Sequence, residues 1–130
     1  MARILIIDDD AMARLLVRTL AEHAGHEVIE AENGAQGLAS ANKASPDLIV
    51  LDLSLPKMSG TDVVRALRRD PRTRATRIAL YTATMRNAAI DDFIEMYGLC
   101  AVLPKPGEPA ALLAAIAGAL AAPLPVADLG

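Results

Sequence analysis

Runs of apolar residues recur along the chain every 20 to 30 positions: "RILII" (3–7), "HEVIEA" (26–31), "DLIVLDL" (47–53), "RIALYTA" (77–83) and "CAVLP" (100–104). Each is too short for a helix and is bounded by polar or turn-forming residues, so each reads as a strand. Between them the pattern is helical, with helices predicted near residues 11–24, 34–43, 61–70, 87–97 and 109–121. Leu16 and Leu20, with His23 or Ala24, mark one face of the first helix, and Val64, Leu67 and Arg68 make the third amphipathic. Strands alternating with helices are the pattern of a parallel sheet with helical crossovers, an α/β fold. The first and third runs are almost uniformly apolar, as strands covered on both faces are, and belong at the centre of the sheet.

Punctuation agrees with these elements. Gly25 closes the first helix, Pro46 precedes the third strand, Pro71 stops the third helix and Pro109 opens the last as an N1 proline. Pro104 cannot donate to a ladder, which puts the fifth strand at an edge. Residues 1–122 read as one domain. The stretch "PLPVADLG" (123–130) has no helical period and is either a frayed terminus or the start of a linker.

Composition narrows the functional classes. The 130 residues are 53% hydrophobic and 22% charged, which suits one ordinary globular domain. Aromatic residues are limited to Phe93, Tyr81 and Tyr97, so the core is aliphatic. A formal net charge of −3 argues against a nucleic-acid surface. The one basic stretch, "RALRRDPRTRATR" (65–77), lacks interleaved aromatics and reads as a solvated helix end and loop. A single cysteine, Cys100, excludes an internal disulfide, fits a reducing compartment and reads as a small buried hydrophobe. No run is long enough for a membrane span and the N-terminus lacks a signal peptide's apolar core, so a cytoplasmic location is expected. His23 and His26 have no third ligand nearby in sequence and read as structural.

The chemistry starts at "LIIDDDAMAR" (5–14), where Asp8, Asp9 and Asp10 directly follow an apolar strand. Like charges about 5 Å apart repel by roughly 3 kcal/mol per pair at an effective dielectric near 20, so the cluster calls for a cation. In open parallel sheets functional groups gather beyond the carboxyl ends of the strands. That rule brings Asp8 and Asp9, Asp52, Thr82 and Lys105 to one end, from strands one, three, four and five. Three carboxylates fit a hard divalent cation, and Mg²⁺ in particular binds a few carboxylates plus water. Asp52 follows "LIVL", where burial fixes its carboxylate; a positioned carboxylate can act as a nucleophile toward phosphorus. Lys105 and Thr82 are then placed to meet the incoming phosphoryl oxygens.

The segments "IIDDD", "VLDLSLPKMSG", "YTA" and "PKP", in this order and at these spacings, resemble the receiver domain of bacterial two-component response regulators, of the chemotaxis-regulator kind. Asp52 follows Asp9 by 43 residues, Thr82 comes 30 later and Lys105 a further 23, with Pro106 next; the likeness covers residues 3 to about 121. It implies a flavodoxin-like, doubly wound sheet of five parallel strands in the order 2-1-3-4-5, with five helices. It further implies that Asp52 is the phosphoacceptor, taking a phosphoryl group from a histidine kinase or histidine phosphotransfer protein. Mg²⁺ would be held by Asp9 directly, Asp8 through water, Asp52 and the backbone carbonyl of Ser54. Thr82 and Lys105 would contact the phosphoryl group, the Lys105–Pro106 peptide would be cis, and Pro56 and Gly60 match the family's turn before the third helix. Asp10 stands at a position the family fills variably and is left outside the site.

The same resemblance implies a signalling domain rather than an enzyme, one that catalyses only its own phosphorylation and slow dephosphorylation. Its output would be a downstream protein or a covalently linked output domain, reached through the face of helix four, strand five and helix five. Three positions depart from the family: Val102 replaces an aromatic residue whose rotation accompanies switching, Gly107 replaces an apolar residue and loosens the entry to the last helix, and Pro104 precedes Lys105. These bear on the output movement and leave the phosphorylation groups in place.

The last helix is apolar all round, with Leu112, Ile116 and Leu120 as a core stripe and Ala110, Ala111, Ala114, Ala117 and Ala121 opposite. That second face is either a homodimer or partner surface or simply Ala-rich helix. The main alternative function is accordingly a receiver-fold dimerisation or scaffold module in which phosphorylation is weak or dispensable. A phosphatase of the haloacid-dehalogenase kind needs a carboxylate two residues after the nucleophile, where Ser54 stands. A flavin-nucleotide site would meet repulsion from "DDDAMAR".

Overall fold

The computed structural model describes residues 1–125. Five strands and five helices alternate: β1 (Arg3–Ile7), α1 (Ala11–His23), β2 (Glu27–Ala31), α2 (Gly34–Ala44), β3 (Leu48–Leu51), α3 (Gly60–Arg69), β4 (Arg77–Thr82), α4 (Ala88–Tyr97), β5 (Ala101–Pro104) and α5 (Pro109–Ala121). All neighbouring strands pair in parallel, in the order β2-β1-β3-β4-β5. The doubly wound sheet read from the sequence is the fold observed. β5 lies at an edge, where Pro104 pairs with Thr82 at the last position of the ladder. Of the stretch 123–130, expected to be a tail or the start of a linker, residues 126–130 lie outside the described residues.

Side-chain alternation divides the apolar runs between two layers. Leu5, Ile7, Ile49, Leu51, Ile78 and Leu80 face α2, α3 and α4, while Ile4, Ile6, Leu48, Val50, Ala79 and Tyr81 face α1 and α5. Because both faces are covered, β1 and β3 carry no polar alternation. Each fully buried Leu or Ile contributes about 1.5–3 kcal/mol.

Side chains cap most helix N-termini. Asp10 accepts from the N–H of Met12, Asn33 from Gln36, Ser59 from Asp62 and Asn87 from Ile90, while α5 begins with Pro109. The opposite termini are met by arginines: Arg3 Nη1 donates to Ala44 O at 2.6 Å, Arg68 Nε to Tyr97 O at 2.8 Å and Arg77 Nε to Ala122 O at 2.8 Å. A guanidinium at a helix C-terminus satisfies open carbonyls and complements the helix dipole.

Four readings change. The centre of the α1 buried face is Ala13, Val17 and Ala21, with Leu16 and Leu20 half-buried beside them and His23 exposed. The helix turns its small residues toward the sheet and lets the leucines fill the margins. β3 ends at Leu51, so Asp52 and Leu53 stand just past it. The basic stretch is not wholly solvated: Arg68 is 3% exposed and also donates to the carbonyls of Arg74 and Thr76. Gly107 is held by a hydrogen bond from its N–H to the Tyr81 hydroxyl at 3.2 Å, so the entry to α5 is tied down there. The second face of α5 is exposed at Ala110, Ala111, Ala114, Ala117 and Ala121.

Candidate functional site

Backbone hydrogen bonds that continue the sheet one residue past its strands fix the site. Asp8 N–H donates to Ala31 O at 3.1 Å, Asp52 N–H to Ile7 O at 3.0 Å and Lys105 N–H to Thr82 O at 2.9 Å. Three candidate site residues therefore inherit the precision of the sheet. α3 also closes onto the site: a Cβ on Gly60 would lie 2.4 Å from both Asp52 O and Leu53 Cα, so this position has room only for glycine.

Asp8 and Asp52 are 2% and 5% exposed, whereas Asp9 is exposed. Carboxylate oxygens of Asp8, Asp9 and Asp52 lie within 4.8 Å of one another. The Lys105 ammonium bridges the two buried ones, 2.7 Å from Asp8 Oδ2 and 2.8 Å from Asp52 Oδ2. Asp8 Oδ1 accepts the N–H of Asp10 and Asp52 Oδ1 the N–H of Ser54.

Burial pushes the Asp8 carboxyl above its usual range, with Asp52 repulsion adding to it, against the opposing pull of Lys105 and the Asp10 N–H. Burial also works against the Lys105 ammonium, but its hydrogen bonds to Asp52 and Asp8 outweigh it and hold the group above the ordinary lysine value. One ammonium among three carboxylates leaves an excess of negative charge in a cluster of hard oxygen donors. That donor set fits a divalent cation such as Mg²⁺.

Thr82 lies at the same end and is buried, but its hydroxyl is engaged locally, donating to Thr84 Oγ1 at 3.1 Å and accepting the Thr84 N–H at 3.2 Å. The Lys105–Pro106 peptide is cis. Sequence reasoning assigned no role to Asp10, which caps α1 while its N–H steadies Asp8. It also passed over Tyr81. The available signal was a tyrosine in an otherwise aliphatic buried strand, because a buried phenol needs a partner for its hydroxyl.

An open groove of about 560 Å³ adjoins Lys105, lined among others by Asp10, Met12, Leu16, Tyr81 and Pro106. Met12 in this lining exposes 71% of its surface. Among the described residues no helix is long and apolar enough to cross a membrane.

Comparison with known proteins gives a consistent picture. The family model of the response regulator receiver domain matches residues 4–117. PilH of Pseudomonas aeruginosa is 37% identical over 82 residues, covering 63% of this chain and 68% of that protein. The DNA-binding dual master transcriptional regulator RpaA of Synechocystis is 48% identical over 83 residues, covering 64% of this chain and 34% of RpaA. The chain thus spans about a third of the length of that regulator. Among solved structures, the chemotaxis protein CheY4 of Vibrio cholerae superposes with a TM-score of 0.83 at 32% identity, covering 90% of this chain and 97% of that one.

Proposed function

Since this chain belongs to the response regulator receiver domain family, we propose that it is a phosphorylation-dependent switch whose Asp52 accepts a phosphoryl group from a histidine kinase or histidine phosphotransfer protein. The observation that carries this reading is the Lys105 ammonium held between Asp8 and Asp52, with Asp9 alongside. In the transfer, the phosphorus–nitrogen bond of a phosphohistidine breaks as a bond forms from phosphorus to an Asp52 carboxylate oxygen, and the leaving imidazole takes up a proton. Burial limits the Asp52 side chain to one orientation, which places the nucleophile without further ordering at the moment of reaction. Lys105 stays within reach of the group built on Asp52 and supplies positive charge as it arrives. Thr82 contributes its hydroxyl after exchanging its bond to Thr84 for one to the phosphoryl group, which is a local rearrangement of the β4–α4 loop.

Asp8, Asp9, Asp52 and the Ser54 carbonyl are the residues that would hold Mg²⁺. When bound, the ion neutralises phosphoryl charge that three carboxylates would otherwise repel. The apolar groove between α1 and the loop after β5 supports docking of the phosphodonor beside Lys105. The product then acts on a downstream protein or a linked output domain, with residues 123–130 as tail or start of a linker.

The test is incubation with acetyl phosphate, with and without Mg²⁺, read by intact mass beside an Asp52→Ala control. A single phosphoryl adduct that needs both Mg²⁺ and Asp52 is expected. No adduct in folded protein, with rapid hydrolysis excluded by the absence of beryllofluoride binding, would overturn the reading.

A second reading, a receiver-fold dimerisation or scaffold module with phosphorylation weak or dispensable, is favoured by the uncharged alanine face that α5 exposes. It is distinguished by self-association that persists in Asp52→Ala.

A further inference from the structure

Tyr81 directly precedes Thr82 in β4 and is 3% exposed, on the α1 and α5 side of the sheet. Its hydroxyl accepts the backbone N–H of Gly107 at 3.2 Å. The Lys105 ammonium lies 5.5 Å from the centre of its ring, within the range over which an aromatic face attracts a cation. Together with Leu112, the ring crowds the space a side chain at 107 would need. A Cβ there would stand 3.3 Å from Tyr81 Cε1 and 3.2 Å from Leu112 Cγ, tighter than carbon atoms pack at optimal separation. Among the described residues the glycines with positive φ are Gly25 and Gly98, so the absence of a side chain at 107 answers to space and not to backbone conformation.

Tyr81 and Gly107 are thus in contact as well as hydrogen-bonded, and between them they hold the turn that carries Lys105. Adjacent residues of β4 grip that turn at two points: Thr82 O accepts the N–H of Lys105 and Tyr81 Oη the N–H of Gly107. We infer that Tyr81 is a positioning residue for phosphoryl transfer, its hydroxyl fixing the Lys105–Gly107 turn and its ring steadying the ammonium between Asp8 and Asp52. The inference rests on the receiver reading for its chemistry, while the positioning itself is a property of the folded chain.

Two readouts separate these levels. The first is the rate of phosphorylation by acetyl phosphate with Mg²⁺; the second is acetylation of Lys105 by an N-hydroxysuccinimide ester, with Lys43 and Lys57 as internal references. Tyr81→Phe keeps the ring and removes the hydroxyl. It is expected to slow phosphorylation by about three- to tenfold, the scale of one hydrogen bond, and to raise relative labelling of Lys105 by a similar factor. Mg²⁺ affinity is expected not to fall, because the phenol's partner touches none of the three carboxylates and a looser Lys105 competes less for Asp8 and Asp52. Tyr81→Leu is expected to move both readouts further.

Wild-type phosphorylation and wild-type Lys105 labelling in Tyr81→Phe would overturn the inference. So would a loss of Mg²⁺ affinity in step with the loss of phosphorylation, which marks general damage to the site. Should the wild type itself take no phosphoryl group, the receiver reading fails, and labelling of Lys105 alone decides: a rise in Tyr81→Phe keeps the positioning role and no rise ends it. If Tyr81→Leu does not fold, Tyr81→Phe carries the test.

Discussion

At Asp8, burial and charge act in opposite directions, and burial prevails. A carboxyl whose folded pKa lies above its ordinary 3.8 keeps a proton that the unfolded chain has released, so its contribution to stability falls as pH rises from that value toward the raised one. Asp8→Asn is accordingly expected to raise the melting temperature at neutral pH without Mg²⁺ and to flatten this part of the acid-range profile. With Mg²⁺ the wild type gains and the variant does not; melts between pH 4 and 7 with and without the ion check both. Lys105 has the opposite sign. Its folded pKa is raised above 10.5, so its pairing contributes fully at neutral pH and is lost only as pH climbs through the raised value. Lys105→Met removes the shared partner of two buried carboxylates and is expected to cost about 3 kcal/mol in urea unfolding, part of which Mg²⁺ restores. A cost near zero would mean that the carboxylates already have another counter-charge. Asp8, Asp52 and Lys105 were legible because strand ends can be read from apolar runs, and the sheet carries those ends to one place. The direction of the Thr82 hydroxyl was not, because its partner Thr84 is a choice made by loop geometry.

Among the elements, α4 is the most loosely held: none of its residues is fully buried, and residues 83–89 before and at its start are all exposed. Its other end is anchored by Arg68, which joins the carbonyls of Tyr97, Arg74 and Thr76. Arg68→Met leaves those carbonyls short of a donor inside the fold, a loss of about 3 kcal/mol. Hydrogen exchange is expected to rise at the C-terminal turn of α4 in that variant; unchanged exchange there would show that packing of Phe93 and Tyr97, whose rings sit 4.8 Å apart, suffices. The sequence made Arg68 part of an amphipathic helix without revealing its burial. Its acceptors lie 6, 8 and 29 residues away, and backbone carbonyls carry no sequence signature. The strands were easier to read: a strand covered on both faces must be apolar throughout, whereas a helix such as α1 offers several stripes and the neighbours choose among them.

Across the whole molecule, the parallel sheet gives its two ends different groups. Carboxylates and helix N-termini gather at one end of the sheet, and helix C-termini with Arg3, Arg68 and Arg77 at the other. Arg3 also pairs with Glu27, so the arginine end carries both signs. The α5 alanine face runs between these ends and carries neither sign. Ala114→Glu is expected to leave monomer stability within about 0.5 kcal/mol, as surface changes do, and to abolish any self-association measured by sedimentation. An unchanged association would remove α5 from the interface.

The two tyrosines fall on opposite sides of this division. Tyr81 lies beneath the Lys105 ammonium, and Tyr97 ends α4 where Arg68 grips its carbonyl. Fluorotyrosine incorporated throughout therefore gives one resonance from each pole, assigned by Tyr81→Phe. On adding beryllofluoride with Mg²⁺, a shift at Tyr81 alone describes an event that stops at the carboxylate cluster. Shifts in both describe a message that has crossed the length of the sheet.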